Sequence, residues 1–382
     1  MSITYPNFFA RIGQTDHGVA QRLARDFDTI FYGDERIYHE ATVDGQQMGY
    51  LIDTGNQDVR SEGQSYGMMI AVQMNKQAMF DRIWRWTKRY MLIQDGPNKG
   101  YFGWSAQPDG TLNSQGPAPD GEAFFAMALL LAANVWTSTA FDYGQDAREI
   151  LHAMVHNPEP MFNPDNKLIK FVPNMEISDP SYHLPHFLTY YAQWGNESDC
   201  AFFEDAAIQS RRYLAKACHP VTGLSAEYAD YDGQPYNLRN HHLFYSDAYR
   251  TGANIALDSI WCGVTDFHKQ QAANILGWFS DDTKLGIVCH IDGTPASPEE
   301  QVTEVDGKPL GVLHPLGLLA SLATSGAITQ DALGDRFIQR LWDSEPRTGS
   351  RRYYDNLLYF FALMLLSGHY RLFEPGDHHA TR

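Results

Sequence analysis

Three acidic residues stand at the starts of long apolar segments, where they could act as an acid and a base. Glu62 precedes the run GMMIAV, Asp120 precedes AFFAMALLLAA, and Asp247 precedes ANIAL. A carboxylic acid that keeps its proton near neutral pH can protonate a leaving group, while an ionised carboxylate can activate water. Glycosidic bonds are hydrolysed by two acids held in such different environments. The sequence therefore predicts glycosidase chemistry if these residues share one cleft.

Each acid also has a purely structural explanation. Asp and Ser are common N-cap residues, and a carboxylate there interacts favourably with the helix dipole. We interpret Ser61 and Gln64 as a capping box of this kind. Acids stand at several of these starts, however, and Tyr182 and Arg250 lie beside two of them. This coincidence favours a functional cleft over capping alone, and we expect Ser61, Tyr182 and Arg250 to contact the substrate there.

The two reacting acids need opposite protonation states. A helix N-terminus favours an anion, so Glu62 needs burial or a negative neighbour to hold its proton, and we expect Asp120 to be that neighbour. Arg250, one turn after Asp247, would help Asp247 to stay ionised. An inverting hydrolase holds its two carboxyl groups roughly 6.5 to 9.5 Å apart to admit a water molecule. We therefore expect that separation between Glu62 and Asp247.

Asp258 is an alternative base, because it lies eleven residues after Asp247 and so on nearly the same helix face. It would lie about 16 Å further along the helix, too deep to reach a sugar at the rim. We expect Asp258 to pair with a buried donor instead. Tyr190 and Tyr191 compete in the same way with Tyr182, but they fall in mid-helix and are interpreted as core.

The elements that position these residues are twelve stretches with helical periodicity. The even-numbered stretches are apolar nearly all round, which is typical of buried helices, and the odd-numbered ones are amphipathic. The sequence thus predicts an all-α protein, an (α/α)6 barrel of six inner and six outer helices in one domain over 1–382, with short strands in YFGWSAQPDGTLN and KLIKFVPN. The predicted stretches are 16–31, 62–75, 77–92, 120–136, 144–156, 180–194, 200–217, 246–262, 266–279, 315–325, 329–343 and 352–367.

Composition narrows the class of protein. Of the 382 residues, 43% are hydrophobic and 20% charged, as in globular proteins. The net charge of −17 opposes binding to nucleic acid. No run approaches the ~18 apolar residues of a membrane span, and the first residues do not resemble a secretion signal. We expect a cytoplasmic monomer.

No metal or cofactor is predicted. Cys200, Cys218, Cys262 and Cys289 lack the C-x-x-C spacing of a zinc site and are interpreted as reduced thiols. His241 and His242 are adjacent and give only a weak indication of a metal site. Two neighbouring side chains of a strand face opposite ways, and no carboxylate stands at ligand spacing in the sequence.

Aromatic side chains could supply the flat surfaces on which sugar rings stack. Phe, Trp and Tyr make up 13% of the chain, and Trp104 is the strongest candidate because it lies in the Gly-rich YFGW loop before Asp120. Trp86 falls inside an apolar helix, where core packing is the better interpretation. The other candidates are Tyr66, Phe124 and Tyr354.

At these residues the chain resembles glycoside hydrolase family 8. The resemblance rests on DVRSEGQSYGMMIAVQM, GPAPDGEAFFAMALL, DPSYHLPHF and YSDAYRTGANIAL, and it covers most of the length. It implies an (α/α)6 fold and an inverting mechanism with Glu62 as proton donor and Asp247 as base. It further implies that Asp120 holds the sugar at the cleavage site, and that Tyr182 hydrogen-bonds the attacking water.

Within the family, Leu313-His314-Pro315 is similar to the kink of members that release xylose from the reducing end of xylooligosaccharides. The resemblance implies that this segment closes the cleft one subsite beyond the scissile bond, with His314 donating to the anomeric hydroxyl, although His314 could simply cap the tenth helix. Two alternatives remain open. One is an endo-acting xylanase, cellulase, lichenase or chitosanase. The other is a non-catalytic sugar-binding protein, against which the intact acids argue.

Overall fold

Twelve α-helices alternate between an inner and an outer layer in the computed structural model, which describes residues 3–301 and 311–377. Each inner helix contacts the next around a closed ring, and each outer helix packs beside an inner one. The predicted (α/α)6 barrel is confirmed. The inner helices are α2 (Ser61–Gln73), α4 (Pro119–Val135), α6 (Pro185–Trp194), α8 (Tyr249–Trp261), α10 (Pro315–Thr329) and α12 (Arg352–Leu366). The outer helices are α1 (Asp16–Tyr32), α3 (Gln77–Tyr90), α5 (Tyr143–His156), α7 (Cys200–Ala217), α9 (Asp266–Trp278) and α11 (Ala332–Trp342).

Burial separates the two layers as the apolar pattern predicts. In α4 the buried residues surround the helix, whereas in α3 they form a single stripe. None of the described helices is both long and apolar enough to cross a membrane.

Two inner helices start later than predicted. In the stretch 180–194, residues Pro180–Tyr182 form a 3-10 turn and α6 begins only at Pro185. Proline disfavours helical backbone in the residue before it, and Leu184 has φ −120° and ψ 66°. In the stretch 246–262, a 3-10 turn over Ser246–Ala248 precedes α8. Each turn contains a predicted site residue, Tyr182 in the first and Asp247 in the second.

The predicted capping box at the start of α2 is wrong. The helix begins at Ser61, one residue too early for Ser61 to cap it, and the N-cap residue Arg60 makes no side-chain cap. Gln64 instead accepts a hydrogen bond from the Leu51 amide at 2.8 Å and donates one to Thr87 Oγ1 at 3.0 Å. Gln64 therefore anchors a strand and an outer helix to α2.

That strand belongs to a hairpin that the sequence analysis missed. Strands β1 (Tyr38–Val43) and β2 (Gln46–Leu51) pair antiparallel through a turn at Asp44 and Gly45, where φ is 51° and 76°. Asp-Gly between alternating strands is a strong hairpin signal, so the signal was present. The expected short strand near YFGWSAQPDGTLN is found as β4 (Ser105–Ala106), which pairs with β3 (Val59–Arg60). The KLIKFVPN piece forms an isolated bridge between Phe162 and Ile169.

Candidate active site

A cavity of about 380 Å³ opens at the end of the barrel where the inner helices begin. It brings Glu62, Asp120 and Asp247 together although they are far apart in sequence, and Trp104 and Tyr182 line it with them. The other lining residues are Arg60, Ser61, Pro117, Ala118, Phe171, Val172, Tyr228 and His241.

One buried guanidinium connects the acids of this cleft. Arg250 Nη1 donates to Glu62 Oε2 at 3.0 Å and to Asp120 Oδ2 at 2.9 Å, and Nη2 lies 3.5 Å from Asp247 Oδ2 and 3.8 Å from Asp179 Oδ2. Only 4% of the Arg250 side chain is exposed. One positive charge is thus shared among four carboxyl groups. A single charge cannot balance four carboxylates, so ionisation of all four at once is unfavourable.

Of the three predicted acids, Glu62 has surroundings that favour a retained proton. Tyr353 donates to its Oε1 at 3.1 Å, and its side chain is 15% exposed. Burial raises the pKa of Glu62 to about 8; Arg250 opposes the shift, and the charges of Asp120 and Asp247 add to it. Asp120 acts as the expected negative neighbour, but burial is the larger cause. A carboxyl group in this state can donate a proton at neutral pH.

Asp120 is fixed from two sides. Its Oδ2 accepts from Arg250, and its Oδ1 accepts from the Gly121 amide at 2.9 Å, in the first turn of α4. Burial raises the pKa of Asp120, and Arg250 counteracts it. The carboxylate is held rigidly at the cleft surface, where it can bind a sugar hydroxyl.

Asp247 is the most open of the three acids, with 34% of its side chain exposed. Ser246 before it has φ 31°, a left-handed backbone that is unusual for serine and that turns the chain into α8. The Asp247 amide lies 3.4 Å from Glu227 Oε1, and Glu227 Oε2 lies 3.0 Å from His241 Nδ1. A partly exposed carboxylate on a supported backbone can receive a proton from water.

Aromatic rings form the walls of the cleft. Trp104 is 38% exposed, and the Arg60 guanidinium lies 5.3 Å from the centre of its ring. Two other lining residues, His241 and Tyr228, stack with ring centroids 4.5 Å apart. The Tyr182 ring lies 5.5 Å from the Arg250 guanidinium carbon. Trp104 therefore has the exposure that a sugar platform needs, unlike the buried rings of Tyr66, Phe124 and Tyr354.

Several predicted substrate-binding residues lie beneath the cleft. Tyr66 is only 2% exposed because its ring packs against Phe124 and Phe361. Its hydroxyl accepts a hydrogen bond from Arg250 Nη1 at 3.0 Å. Arg250 itself is covered by the acids that it holds. Both side chains are buried in this structure, so direct contact with a substrate stays a prediction for Tyr66 and Arg250.

Ser61 and His314, the two other predicted contacts, differ in where they lie relative to the cavity. Ser61 lines the cavity but is 1% exposed, and its Oγ has no hydrogen-bond partner among the described residues. His314 is 8% exposed and lies outside the cavity lining, with Nδ1 3.4 Å from Asp355 Oδ2 and its ring 4.7 Å from that of Tyr354. It occupies the N-cap position of α10 without capping through its side chain.

The competing candidates fall where packing places them. Asp258 Oδ1 accepts from Arg211 Nη2 at 2.6 Å, and its Oδ2 lies 3.0 Å from His268 Nε2, so the expected buried pairing is confirmed. Trp86 is 1% exposed and belongs to the core. Of the remaining candidate platforms, Phe124 and Tyr354 are also buried.

Three residues near the acids were not assigned roles from the sequence. Tyr353 was not singled out, although its neighbour Tyr354 was. The helical repeat predicts which face of α12 is buried, but it does not predict which of two adjacent tyrosines contacts Glu62. Asp179 was noted as a helix start, yet its carboxylate lies under Arg250 and is fully buried. Glu227 lies in a loop whose sequence gives no signal. Sequence spacing also gave no indication that two distant carboxylates contact the adjacent histidines: Glu227 Oε2 lies 3.0 Å from His241 Nδ1, and Glu300 Oε1 lies 3.1 Å from His242 Nε2.

The chain is similar to known glycoside hydrolases in both sequence and structure. The sequence model described as "Glycosyl hydrolases family 8" matches residues 37–368. The reducing-end xylose-releasing exo-oligoxylanase Rex8A of Paenibacillus barcinonensis is 48% identical, with 97% of each chain covered. A protein with the same described activity from Halalkalibacterium halodurans is 44% identical over 97% of this chain and 95% of its own. The structure of Rex8A complexed with xylose superposes with a TM-score of 0.90 at 47% identity, covering 97% of this chain and 98% of that one.

Proposed function

Because this chain belongs to glycoside hydrolase family 8, we propose that it hydrolyses β-1,4-xylooligosaccharides and releases xylose from their reducing end. The observation that carries the proposal is the cleft in which Glu62, Asp120 and Asp247 meet around Arg250. The relatives with 44% to 48% identity, matched over nearly their whole length, are described by this activity. The substrate therefore follows from the relatives, and the chemistry from the cleft.

In the mechanism that we propose, Glu62 protonates the oxygen of the leaving xylose while Asp247 removes a proton from the attacking water. Water adds to the anomeric carbon from the face opposite the leaving group, so the configuration inverts. Asp120 holds the hydroxyls of the distorted ring, and Tyr182 orients the water. Trp104, with its exposed ring, supports a neighbouring xylose unit.

Arg250 positions the reacting acids rather than binding the sugar. Its contacts at 2.9 Å with Asp120 and at 3.5 Å with Asp247 hold both side chains in place. Tyr66 and Tyr353 fix this arrangement by contacting Arg250 and Glu62 respectively. Because burial outweighs Arg250 at Glu62, the acid retains its proton beside a cation.

We propose that Leu313 and His314 limit the cleft on the reducing-end side. Leu313 packs against a small buried cluster formed by Leu243, Tyr245, Val288 and Ala296, which lies next to the Asp247 turn. His314 is held by Asp355 and Tyr354. We further propose one catalytic domain over 1–382 that acts as a cytoplasmic monomer, since short imported oligosaccharides would reach it there and one chain supplies the whole cleft lining.

Xylotriose tests the exo specificity. We expect xylose and xylobiose in equal amounts, and we expect reduced xylotriitol to resist cleavage because it lacks the cyclic end that the closed subsite recognises. Chromatography of both digests measures this. Rapid cleavage of xylotriitol, or a ladder of products from polymeric xylan, would instead indicate the endo-acting alternative.

The pKa of Glu62 sets the alkaline limit of activity. Glu62 must be protonated to act, and its pKa is raised to about 8, so kcat/KM should be retained below that pH and should fall tenfold per pH unit above it. A pH–rate profile of the wild type measures this limb. In the Glu62→Gln variant, whose residue cannot titrate, the residual rate should show no such fall; an unchanged alkaline limb would assign it to another group.

A further inference from the structure

Two histidines and a glutamate converge outside the cleft, in the loops that precede α8 and α10. His242 Nε2 lies 3.1 Å from Glu300 Oε1, and His290 Nε2 lies 3.4 Å from the same oxygen. All three ligand atoms lie within 4.8 Å of one another. The backbone brings them together because the Phe244 amide donates to the Cys289 carbonyl, which pairs the two histidine segments.

These separations fit a tetrahedral metal ion. Zinc binds histidine nitrogen at about 2.0–2.1 Å and carboxylate oxygen at about 2.0–2.2 Å. Two ligands at tetrahedral angles are then roughly 3.3 Å apart, close to the 3.1 Å and 3.4 Å between each histidine nitrogen and Glu300. An ordinary ion pair needs only one histidine, whereas here two histidine nitrogens approach the same oxygen of Glu300.

The surroundings hold the ligands and leave a way in. Glu300 Oε2 accepts from the Ser297 amide at 2.9 Å, which leaves Oε1 free to face the histidines. His290 and Glu300 are 32% and 29% exposed, so an ion can enter and water can complete its shell. The other ring nitrogen of His242 is buried without a partner among the described residues. Loss of such outer support weakens metal binding typically 10–100-fold, so we expect a site of moderate affinity.

We propose that His242, His290 and Glu300 bind a divalent transition-metal cation of the zinc class, with water as the fourth ligand. Its role is structural, because none of the three lines the catalytic cavity. The cation joins the segments before α8 and α10 above the buried cluster of Leu243, Tyr245, Val288 and Ala296, against which Leu313 packs. It would stabilise the loop layer that supports Leu313.

A second cluster provides an internal comparison. His152 and His156 lie on the exposed face of α5, at 3.9 Å and 2.8 Å from the two different oxygens of Asp199. The 3.9 Å between His152 and Asp199 is longer than the separation of two ligands on a tetrahedral ion, and the two histidines contact different oxygens of Asp199. This cluster therefore fits a tetrahedral ion less well. We therefore expect the higher affinity at Glu300, and substitutions at the two clusters separate the alternatives.

Cobalt(II) titration of the metal-stripped full-length protein tests the proposal. We expect one equivalent to bind with the intense visible absorption of tetrahedral cobalt, to be displaced by zinc, and to raise the thermal unfolding midpoint. His242→Ala, His290→Ala and Glu300→Gln should each weaken binding at least tenfold. His17→Ala, which removes an exposed histidine elsewhere, and His156→Ala should leave the high-affinity equivalent unchanged.

Two results would overturn the proposal. One is the absence of binding by the wild type up to 1 mM cobalt, roughly the weak limit for a specific site. The other is a high-affinity equivalent that persists in all three cluster variants or disappears in His156→Ala. Because binding and unfolding are measured without a sugar, neither result depends on the catalytic assignment.

Discussion

Replacing Glu62 by glutamine is expected to lower kcat on xylotriose by roughly 10²- to 10⁴-fold, the usual contribution of general acid catalysis. The substitution keeps the size of the side chain and can keep the contact with Tyr353, but it removes the proton that leaves with xylose. Steady-state kinetics on purified variants measures the effect. KM should change little, because Trp104 and Asp120 still hold the sugar.

A leaving group that needs no proton separates acid catalysis from misfolding. On a xylobioside with an acidic phenol in place of the last xylose, Glu62→Gln should lose far less activity than on xylotriose. Glu122→Gln is the matched control. Like Glu62 in α2, Glu122 lies in the first turn of an inner helix, α4, and burial raises its pKa to about 8. Its Oε1, however, accepts a hydrogen bond from the Phe102 amide, and the residue lies outside the cleft lining. Near-normal kcat is expected for it; equal losses in both variants would refute the assignment of Glu62.

Replacing Asp247 by asparagine is the second large loss that we expect, again roughly 10²- to 10⁴-fold in kcat. Asparagine cannot take a proton from water, and the 3.5 Å contact with Arg250 loses its charge. A better leaving group should not restore activity here, because the missing step is activation of the nucleophile. Comparing the two variants on the two substrates therefore distinguishes the acid from the base.

Asp258→Asn is the control for this second prediction. It breaks the buried pairing with Arg211 and His268 and should cost about 3 kcal/mol of unfolding free energy. Folded Asp258→Asn protein should keep most of its kcat, since the side chain does not reach the cleft. If folded Asp258→Asn were inactive and Asp247→Asn active, Asp258 would be the base.

The helical pattern predicted most of the architecture, because the burial of each helix decides whether it lies in the inner or the outer layer. A helix that is apolar all round, such as α4, can only lie inside, and six such helices alternating with amphipathic ones close a ring. The same ring places every inner helix start at one end, which is why Glu62, Asp120 and Asp247 could be grouped from sequence. The β1–β2 hairpin was missed although its Asp44-Gly45 turn signalled it.

The direction of individual side chains could not be predicted in the same way. Arg250 follows Asp247 by one turn and was expected to serve it, yet its guanidinium points inward and bonds Glu62 and Asp120 more closely. Tyr66 lies on the helix of Glu62 but faces the core. Likewise, spacing in sequence hid the contact of His242 with Glu300, which depends on how two loops fold together.

Proton NMR of xylotriose hydrolysis, followed from the first minutes, tests the central claim most directly. It reports both the bond that is cleaved and the configuration of the new reducing end. Inversion by Glu62 and Asp247 predicts equal amounts of xylose and xylobiose, with the xylobiose formed first as the α-anomer before mutarotation. Xylobiose that first appears as the β-anomer would contradict the account, because it would require a covalent intermediate and a nucleophile in place of the water.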